Sequence, residues 1–345
     1  MRSSAVAMAG VAALLLTTAG IHPLTRLALR FDLTDRPGGY KAHGRPVPYI
    51  GGVAILAGTA VPATVFLGLA DDQVGILLIG AAVVAMLGLV DDIVALTPAT
   101  RLCVEALVAS GVVLSGVQIP LTGGWPDGLV TVLWMVVITN SFNLLDNMDG
   151  ALGATVVVGA GLLAAGAFVH GSPSTGLLLV TLAFAALGFL PHNWAPAKVF
   201  MGDSGSLFIG FVIAGSAASL ATHQATEAVV ANLLLPTFVA TVDTGVVLLS
   251  RLWTGRPLMR GGTDHLSHRL HRLGMGTRRT ALVLAAVTAA AGGLHLAMAL
   301  GLASPLIATI GALGAAILLI GLPQRVSVSS PRLSHTPSMN ISERQ

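Results

Sequence analysis

The sequence predicts an all-α membrane protein that crosses the bilayer about eleven times. Three observations predict this class: only 10% of the residues are charged, the mean hydropathy is +0.85, and long apolar runs recur along the chain. A membrane-spanning helix needs about 20 apolar residues, which is the length of these runs. Barrel strands would instead appear as short alternating segments, so helices are the structure that satisfies the backbone in lipid.

Eleven apolar runs follow one another along the chain. They occupy residues 5–22, 50–69, 74–90, 101–117, 129–142, 151–169, 175–190, 206–221, 228–249, 280–299 and 304–322. The fifth and seventh are short and give the weakest span predictions. The first begins like a signal peptide, but the cations that follow it favour a transmembrane helix.

The charges predict the orientation. Arg2 precedes the first run and five Lys or Arg follow it in residues 23–49, so the positive-inside rule places the amino terminus outside and the carboxyl terminus in the cytoplasm. Alternation then places seventeen of the eighteen Lys and Arg residues on the cytoplasmic side. Residues 1–322 are predicted to form one integral-membrane domain, and the Ser- and Pro-rich residues 323–345 a disordered cytoplasmic tail.

The composition also excludes several classes. The single cysteine, Cys103, rules out a disulfide framework and a Cys-based metal site, and it is interpreted as a small buried residue of a helix. The basic pI near 9.6 is attributed to contact with anionic lipid, since the cations are spread over several loops. No nucleic-acid partner is predicted.

The acidic residues divide by side of the membrane. Asp71, Asp72, Asp127 and Glu227 fall in extracytoplasmic loops and are expected to face water. Six aspartates fall at cytoplasmic helix ends: Asp91, Asp92, Asp146, Asp149, Asp203 and Asp264. Carboxylates clustered with an amide oxygen form the ligand set of Mg²⁺ or Mn²⁺, whereas a zinc motif is lacking.

The stretch NSFNLLDNMDGALG, residues 140–153, contains two of these aspartates and an asparagine that could act with them. Asn143, Asp146 and Asp149 are spaced by three, so they share one face if the segment is helical. The spacing therefore predicts one polar wall at the cytoplasmic surface.

Five segments in order carry a family resemblance. They are DRPGGYKAHGRPVPYIGG (35–52), GLVDDIVALTPATRL (88–102), NSFNLLDNMDG (140–150), PAKVFMGDSGSLFIG (196–210) and DHLSHRLHRLG (264–274). Together they resemble the cytoplasmic motifs of the polyprenyl-phosphate N-acetylhexosamine-1-phosphate transferases. The undecaprenyl-phosphate N-acetylglucosamine-1-phosphate branch fits better than the muramoyl-pentapeptide branch, because its histidine motif lies in a similar loop.

The resemblance implies an enzyme of the bacterial plasma membrane. It would transfer a sugar phosphate, GlcNAc-1-phosphate in the favoured branch, from a UDP-N-acetylhexosamine to polyprenyl phosphate and release UMP, initiating a cell-envelope glycan. Mg²⁺ or Mn²⁺ is the implied cofactor. The oligomeric state is left open, with a homodimer among the options.

The resemblance also assigns roles to matching positions. Asp203 and Asn143 would bind the metal, and Asp91 and Asp92 would act on the attacking lipid phosphate or organise the metal shell. Phe200 would stack on uracil and Asp149 would hydrogen-bond its edge. The remaining implied site residues are His265 and His268 as catalytic groups, and Lys41, Arg45, Arg101, Asp146 and Arg269 as substrate-binding groups.

Two positions depart from the family pattern. Arg101 stands where relatives usually have Lys, and its planar fork can hold a diphosphate through two parallel hydrogen bonds. Ser267 replaces the middle histidine of the usual His-x-His-His motif, which puts in doubt any role that required that imidazole.

A secondary transporter is the alternative from another class of protein. It requires acids near the membrane midplane, where only Glu105, Asp243 and Asn232 fall. Asp243 is predicted to support the neighbouring loop, and no internal repeat is detected. The muramoyl-pentapeptide branch also stays open.

Overall fold

The computed structural model describes residues 3–35, 46–68, 71–222, 224–257 and 262–325. About four-fifths of these residues are helical. The elements are α1 (Ser3–Arg30), β1 (Thr34–Asp35), β2 (Val47–Pro48), α2 (Gly51–Leu67), α3 (Asp72–Val94), α4 (Pro98–Leu114), α5 (Pro126–Leu145), α6 (Ala151–Val169), α7 (Pro173–Asn193), α8 (Gly202–Ala221), α9 (Thr226–Leu234), α10 (Phe238–Thr254), α11 (Leu266–Arg272), α12 (Thr277–Ala299) and α13 (Pro305–Gly321). The strands β1 and β2 pair antiparallel.

Ten of the eleven predicted runs each fall on one helix, and the ninth falls on two, α9 and α10. Within the described ranges, eight helices are long and apolar enough to cross a membrane, or nine when α9 and α10 count as one span bent by 76°. The ninth run therefore breaks where residues 235–237 interrupt it. The two short runs are extended by polar residues at their ends, so α5 reaches 20 residues and α7 reaches 21. The protein is a polytopic helical membrane protein.

The helices alternate in direction, so their ends gather at two faces. One end, termed the cavity face because it carries the large cavity, is marked by the contact between Asn143 of α5 and Asp203 of α8. Hydrogen bonds also join loops at the opposite end: Gln73 to Ser115, Gln118 to Thr222, and His170 to Gln224. This agrees with the predicted gathering of the acidic motifs at one membrane face.

Helix α8 lies at the centre of the bundle. In the most apolar 18-residue stretch of α8, 94% of residues are buried, whereas in the corresponding stretch that covers α13 only 17% are buried. It packs against α2, α3 and α5, while α1, α6, α7 and α12 extend the main core. A second apolar cluster joins α9, α10 and α13. Asp203, in the first turn of α8, is thus fixed by the most deeply packed helix.

Glycines permit the close approach of α8 to its neighbours. A Cβ at Gly88 of α3 would lie 2.5 Å from the backbone carbonyl of Asp203, and a Cβ at Gly52 of α2 would lie 2.2 Å from the backbone nitrogen of Gly205. Any larger side chain at either position would force the helices apart. These two positions therefore set the depth at which Asp203 lies.

Two predictions about single residues are wrong. Asp127 is buried rather than solvated, because Thr122 donates from its backbone and hydroxyl groups and Gly123 donates from its backbone to the Asp127 carboxylate. Cys103 lies in α4 as predicted, but its side chain is exposed on the outer surface of that helix. Polarity alone indicates neither the turn that encloses Asp127 nor the face on which Cys103 lies.

Candidate active site

The cavity face contains a cavity of about 700 Å³. Its wall is lined by Asp35, Tyr49, Asp92, Asn143, Asp146, Asn147, Met148, Asp149, Asn193, Phe200, Gly202, Asp203, Thr263, His268, His271 and Thr277. These residues come from five loop regions at one end of the bundle. Seven of the residues predicted for the site lie among them.

The amino-terminal turn of α8 is held by an aspartate of α3. The Asp92 carboxylate accepts hydrogen bonds from the backbone N–H groups of Asp203 (3.0 Å) and Ser204 (3.3 Å). These N–H groups have no partner inside the helix, and the positive end of the helix dipole favours a carboxylate there. Gly202 precedes them with φ +71°, a conformation that glycine adopts readily. Asp92 thereby fixes the direction of the Asp203 side chain.

Arg101 connects three of the predicted site residues. Its Nη1 lies 2.5 Å from Asp91 Oδ2 and 2.9 Å from Asp203 Oδ2, and its Nη2 donates to Asn143 Oδ1 at 3.4 Å. Asn143 Nδ2 donates to Asp203 Oδ1 and to Ser206 Oγ, both at 2.9 Å. A guanidinium can serve several acceptors at once, whereas a lysine ammonium is a point charge. Arg101 therefore keeps the two carboxylates together.

The segment from Asn143 to Gly150 is not one helical face. Helix α5 ends at Leu145, Asp146 caps it, and Asp149 lies in the following turn. The condition for a shared helical face is therefore not met, because α5 ends before Asp146, and Gly150 with φ +74° then leads the chain into α6. Asn143, Asp146 and Asp149 nevertheless all line the cavity, since the turn folds back over it.

The carboxyl group of Asp146 has an unusual electrostatic environment. Burial, together with the smaller effects of the negative charges of Asp203, Asp92 and Asp149, raises its pKa to about 7. The cavity wall thus carries more carboxylate than it can ionise fully without a cation.

Asp149 and Phe200 lie on one side of the cavity. Asp149 Oδ2 accepts a hydrogen bond from Ala197 N–H at 2.9 Å, which ties the turn to the loop before α8. Phe200 is held through its backbone, with its N–H bonded to Pro48 O and its carbonyl accepting from Gly51 N–H. The aromatic ring is therefore presented at the wall by a fixed backbone.

Only one of the two predicted catalytic histidines lines the cavity. His268 does, and burial, with a smaller effect of neighbouring His265, lowers its pKa to about 4. His265 is buried and lies 2.8 Å through Nδ1 from Asp243 Oδ2, while Asp243 Oδ1 accepts from Leu266 N–H at 2.7 Å. His265 is thus a support of α11, and the predicted role of Asp243 in holding this loop is confirmed.

Arg269 and Asp264 also support α11 rather than lining the cavity. Arg269 is 2% exposed, and it donates to Asp264 O and to Pro323 O. The Asp264 carboxylate pairs with Arg251 and Arg256 at the end of α10. The structure does not place Arg269 in the cavity wall, because its guanidinium donates to Asp264 O and Pro323 O, and its substrate-binding role stays a prediction. Lys41 and Arg45 lie outside the described residues.

A divalent cation fits the donor set at Asp203. Among the residues that the structure describes, no group of three or more His, Cys, Asp or Glu side chains forms a metal cage. Mg²⁺ does not require one, because it is commonly bound by one or two carboxylates together with water and substrate phosphates. The Asp203 carboxylate and the Asn143 amide oxygen are suitable metal ligands. In this structure both accept hydrogen bonds from Arg101.

Several cavity residues were not anticipated from the sequence. Asn193 braces the site, accepting from Gly150 N–H at 2.9 Å and donating to Val199 O at 3.1 Å. Tyr49, Asn147, Thr263, His271 and Thr277 line the wall as well. Asn193 could have been found as a polar residue at the end of the seventh apolar run. Tyr49, Asn147 and His271 lie inside the motif segments quoted above, whereas Thr263 and Thr277 lie outside them.

Comparison with known proteins decides the family. The sequence model of glycosyl transferase family 4 matches residues 74–221, which run from α3 through α8. A Streptomyces coelicolor protein named as a glycosyltransferase is 38% identical over 290 residues, covering 81% of this chain and 67% of the relative. The chain belongs to glycosyl transferase family 4.

Two further relatives of this family 4 chain have more specific names. A Bacillus subtilis protein named as an undecaprenyl-phosphate N-acetylglucosaminyl 1-phosphate transferase is 29% identical over 284 residues, or 78% of each chain. The decaprenyl-phosphate N-acetylglucosaminephosphotransferase of Mycobacterium tuberculosis is 29% identical over 323 residues, covering 81% of this chain and 79% of its own. A Staphylococcus haemolyticus phospho-N-acetylmuramoyl-pentapeptide-transferase matches over only 100 residues, or 29% of this chain.

Proposed function

We propose that this protein transfers N-acetylglucosamine-1-phosphate from UDP-N-acetylglucosamine to a polyprenyl phosphate, at the cytoplasmic face of the bacterial plasma membrane. The products are a polyprenyl-diphosphate sugar and UMP, and the product begins a cell-envelope glycan. The observation that carries the proposal is a hydrogen-bonded network in which Asp92, Asn143 and Asp203 line a cavity of about 700 Å³, and Arg101 joins Asp203 to Asp91 next to it. Relatives named for this transfer match about four-fifths of the chain.

The position of the cavity suits two substrates of opposite solubility. It lies where helices end, so a water-soluble nucleotide can enter from the aqueous side while a lipid phosphate stays at the membrane surface. Carboxylates placed deep in the bilayer would be costly, whereas carboxylates at helix ends keep access to water. The location therefore supports a reaction between a membrane lipid and a soluble donor.

The transfer exchanges one phosphorus–oxygen bond for another. An oxygen of the polyprenyl phosphate attacks the β-phosphorus of the donor, and the bond from that phosphorus to the bridging oxygen breaks, so that UMP leaves with the electron pair. Asp203 and Asn143 would hold Mg²⁺ or Mn²⁺, which when bound neutralises charge on the phosphates. Such a reaction depends on positioning and electrostatics more than on covalent chemistry.

The remaining residues divide into phosphate and nucleotide contacts. Arg101 can turn from the two carboxylates to the diphosphate, because its fork suits phosphate oxygens. Asp91 and Asp92 position the acceptor, and a phosphate is already anionic near neutral pH, so a strong base is unnecessary. Asp149 and Phe200 are assigned to the uracil, and Asp146 lies beside them on the wall.

The two alternatives are less well supported. The phospho-N-acetylmuramoyl-pentapeptide relative covers only 29% of this chain. A transporter would use acids near the midplane, and Asp243 is instead bonded to His265 and Leu266 at the loop. The homodimer stays a prediction.

A comparison of donors tests the choice of sugar. Purified protein is supplied with polyprenyl phosphate, Mg²⁺ and one of three donors: UDP-N-acetylglucosamine, UDP-N-acetylgalactosamine or UDP-N-acetylmuramoyl-pentapeptide. We expect the first to be used with the highest kcat/KM. Turnover of the muramoyl donor alone would place the chain in the other branch.

A further inference from the structure

One acidic side chain inside the helix bundle takes no part in the proposed transfer. Glu105 belongs to α4 and is fully buried. Its Oε2 accepts a hydrogen bond from the side-chain amide of Asn140 on α5, and its Oε1 has no partner among the residues that the structure describes. Burying a carboxyl group within a membrane protein is costly, and such groups usually serve a function.

The contact between Glu105 and Asn140 lies one helical turn deeper than a contact of the site. Glu105 follows Arg101 by four residues on α4, and Asn140 precedes Asn143 by three residues on α5, so the members of each pair share one helix face. At the cavity end, Arg101 Nη2 donates to Asn143 Oδ1 at 3.4 Å. Two polar contacts stacked along the helices therefore join α4 to α5.

Asn140 holds Glu105 in one orientation. Its Nδ2 donates to Val136 O of its own helix at 2.9 Å as well as to Glu105 Oε2. An amide nitrogen carries two hydrogens, so one bond ties the side chain to α5 and the other ties it to α4. This bridge fixes the rotation of α4 about its axis relative to α5. That rotation decides where the guanidinium of Arg101 lies.

We propose that Glu105 is a positioning residue for the transfer: through Asn140 it holds α4 in the rotation that places Arg101 against Asn143 and Asp203. The inference rests on the proposed function for the reaction concerned. Glu105 does not line the cavity, so its effect on turnover passes through the Arg101 side chain.

Steady-state kinetics with UDP-N-acetylglucosamine, polyprenyl phosphate and Mg²⁺ tests the inference on the purified wild type, Glu105→Ala and Glu105→Gln. For Glu105→Ala we expect kcat to fall about 10- to 100-fold, because a misplacement of about 1 Å in an active site can cost that much. Glutamine keeps the oxygen that accepts from Asn140, so Glu105→Gln should retain most of the activity.

A double-mutant cycle with Arg101→Lys separates positioning from a general loss of stability. Lysine keeps the positive charge but lacks the planar fork, so it depends less on the rotation of α4. In the Arg101→Lys background, adding Glu105→Ala should lower kcat by less than about 3-fold, because residues that act through each other are not additive. A purely structural effect would multiply in full.

Ser110→Ala is the matched control on the same helix. The Ser110 hydroxyl is half-buried and donates to Ala106 O at 2.7 Å, so its loss removes a hydrogen bond of α4 without loosening the contact with α5. We expect Ser110→Ala to keep the wild-type kcat. The unfolding temperature of each variant shows whether the fold is retained.

Three results would overturn this inference alone: a wild-type kcat in a folded Glu105→Ala, a Glu105→Gln no more active than Glu105→Ala, or the full loss of activity repeated in the Arg101→Lys background. Failure of the proposed function is a different result. In that case the wild type itself transfers no sugar phosphate to the lipid, and the inference falls with the reaction on which it rests.

Discussion

Asp203 is the residue at which the separate parts of the site meet. It receives backbone support from Asp92 and pairs with Arg101 and Asn143 through its two carboxylate oxygens. The sequence indicates this residue because it lies just before the eighth apolar run, within the segment PAKVFMGDSGSLFIG that carries the family resemblance. It does not indicate which partners are chosen, because Arg101 and Asn143 lie 102 and 60 residues away.

Removing the charge of Asp203 should cripple catalysis. Asparagine keeps the shape of the side chain but cannot balance a divalent cation and a diphosphate. We expect Asp203→Asn to lower kcat by about 10³-fold, or about 4 kcal/mol of transition-state stabilisation. Steady-state kinetics at saturating Mg²⁺ measures this loss.

Asp149→Asn and Phe200→Ala serve as contrasts in the same assay. An amide oxygen can still accept from Ala197 N–H and from a uracil N–H, so Asp149→Asn should mainly raise the donor KM. Phe200→Ala should behave similarly, since it removes stacking area. If Asp203→Asn keeps a normal kcat while Asp149→Asn abolishes it, the metal and nucleotide roles are exchanged.

The raised pKa of Asp146 predicts a pH dependence of stability. In the folded protein this carboxyl takes up its proton near pH 7, but in the unfolded chain it does so near its ordinary value of 3.8. The fold therefore binds more protons between these values, and its stability falls as the pH rises from about 4 to 7. We expect Asp146→Asn to raise the unfolding temperature of the metal-free protein at pH 8 and to have little effect at pH 4. An equal shift at both pH values would show that charge is not the cause.

At the scale of elements, the apolar pattern predicted every spanning helix because burial in lipid imposes a length and a composition on each one. The break between α9 and α10 was not predicted, although Pro236 lies within it: proline has no backbone N–H to donate, and its ring disrupts the preceding helical turn. The predicted helix ends were also inexact, because polar residues such as Asn143 belong to the last turn of α5 although they lie outside the apolar run. The partner of Asn143 is Asp203, which belongs to another element, so the contact depends on tertiary packing.

The site depends on the close approach of α3 and α8 at Gly88. A methyl group there would meet the Asp203 backbone at 2.5 Å, so we expect Gly88→Ala to destabilise the fold by about 1–3 kcal/mol and to lower kcat by displacing Asp203. Gly75→Ala in the same helix is the control, because no atom lies within 4 Å of its added Cβ. Alanine usually stabilises a helix interior by about 0.5–1 kcal/mol relative to glycine, so this variant should stay active. If both variants lost the same amount of stability and activity, the close contact between Gly88 and Asp203 would not be the cause.

At the scale of the whole molecule, the alternating helices place the cavity at one membrane face. The positive-inside pattern predicts that this face is cytoplasmic. A reporter fused in residues 255–262, or after the carboxyl terminus, should therefore be cytoplasmic, and one inserted near Gly123 should lie outside. A periplasmic reporter that is active at residue 260 would overturn both the orientation and the predicted access of a cytoplasmic nucleotide to the cavity.

The proposed function requires that a sugar phosphate, rather than a sugar alone, passes to the lipid. Two preparations of UDP-N-acetylglucosamine, one labelled in the sugar and one in the β-phosphate, are incubated separately with the purified protein, polyprenyl phosphate and Mg²⁺. We expect both labels to enter the lipid in equal amounts, with release of UMP. Transfer of the sugar label alone, with the β-phosphate label retained in released UDP, would contradict it.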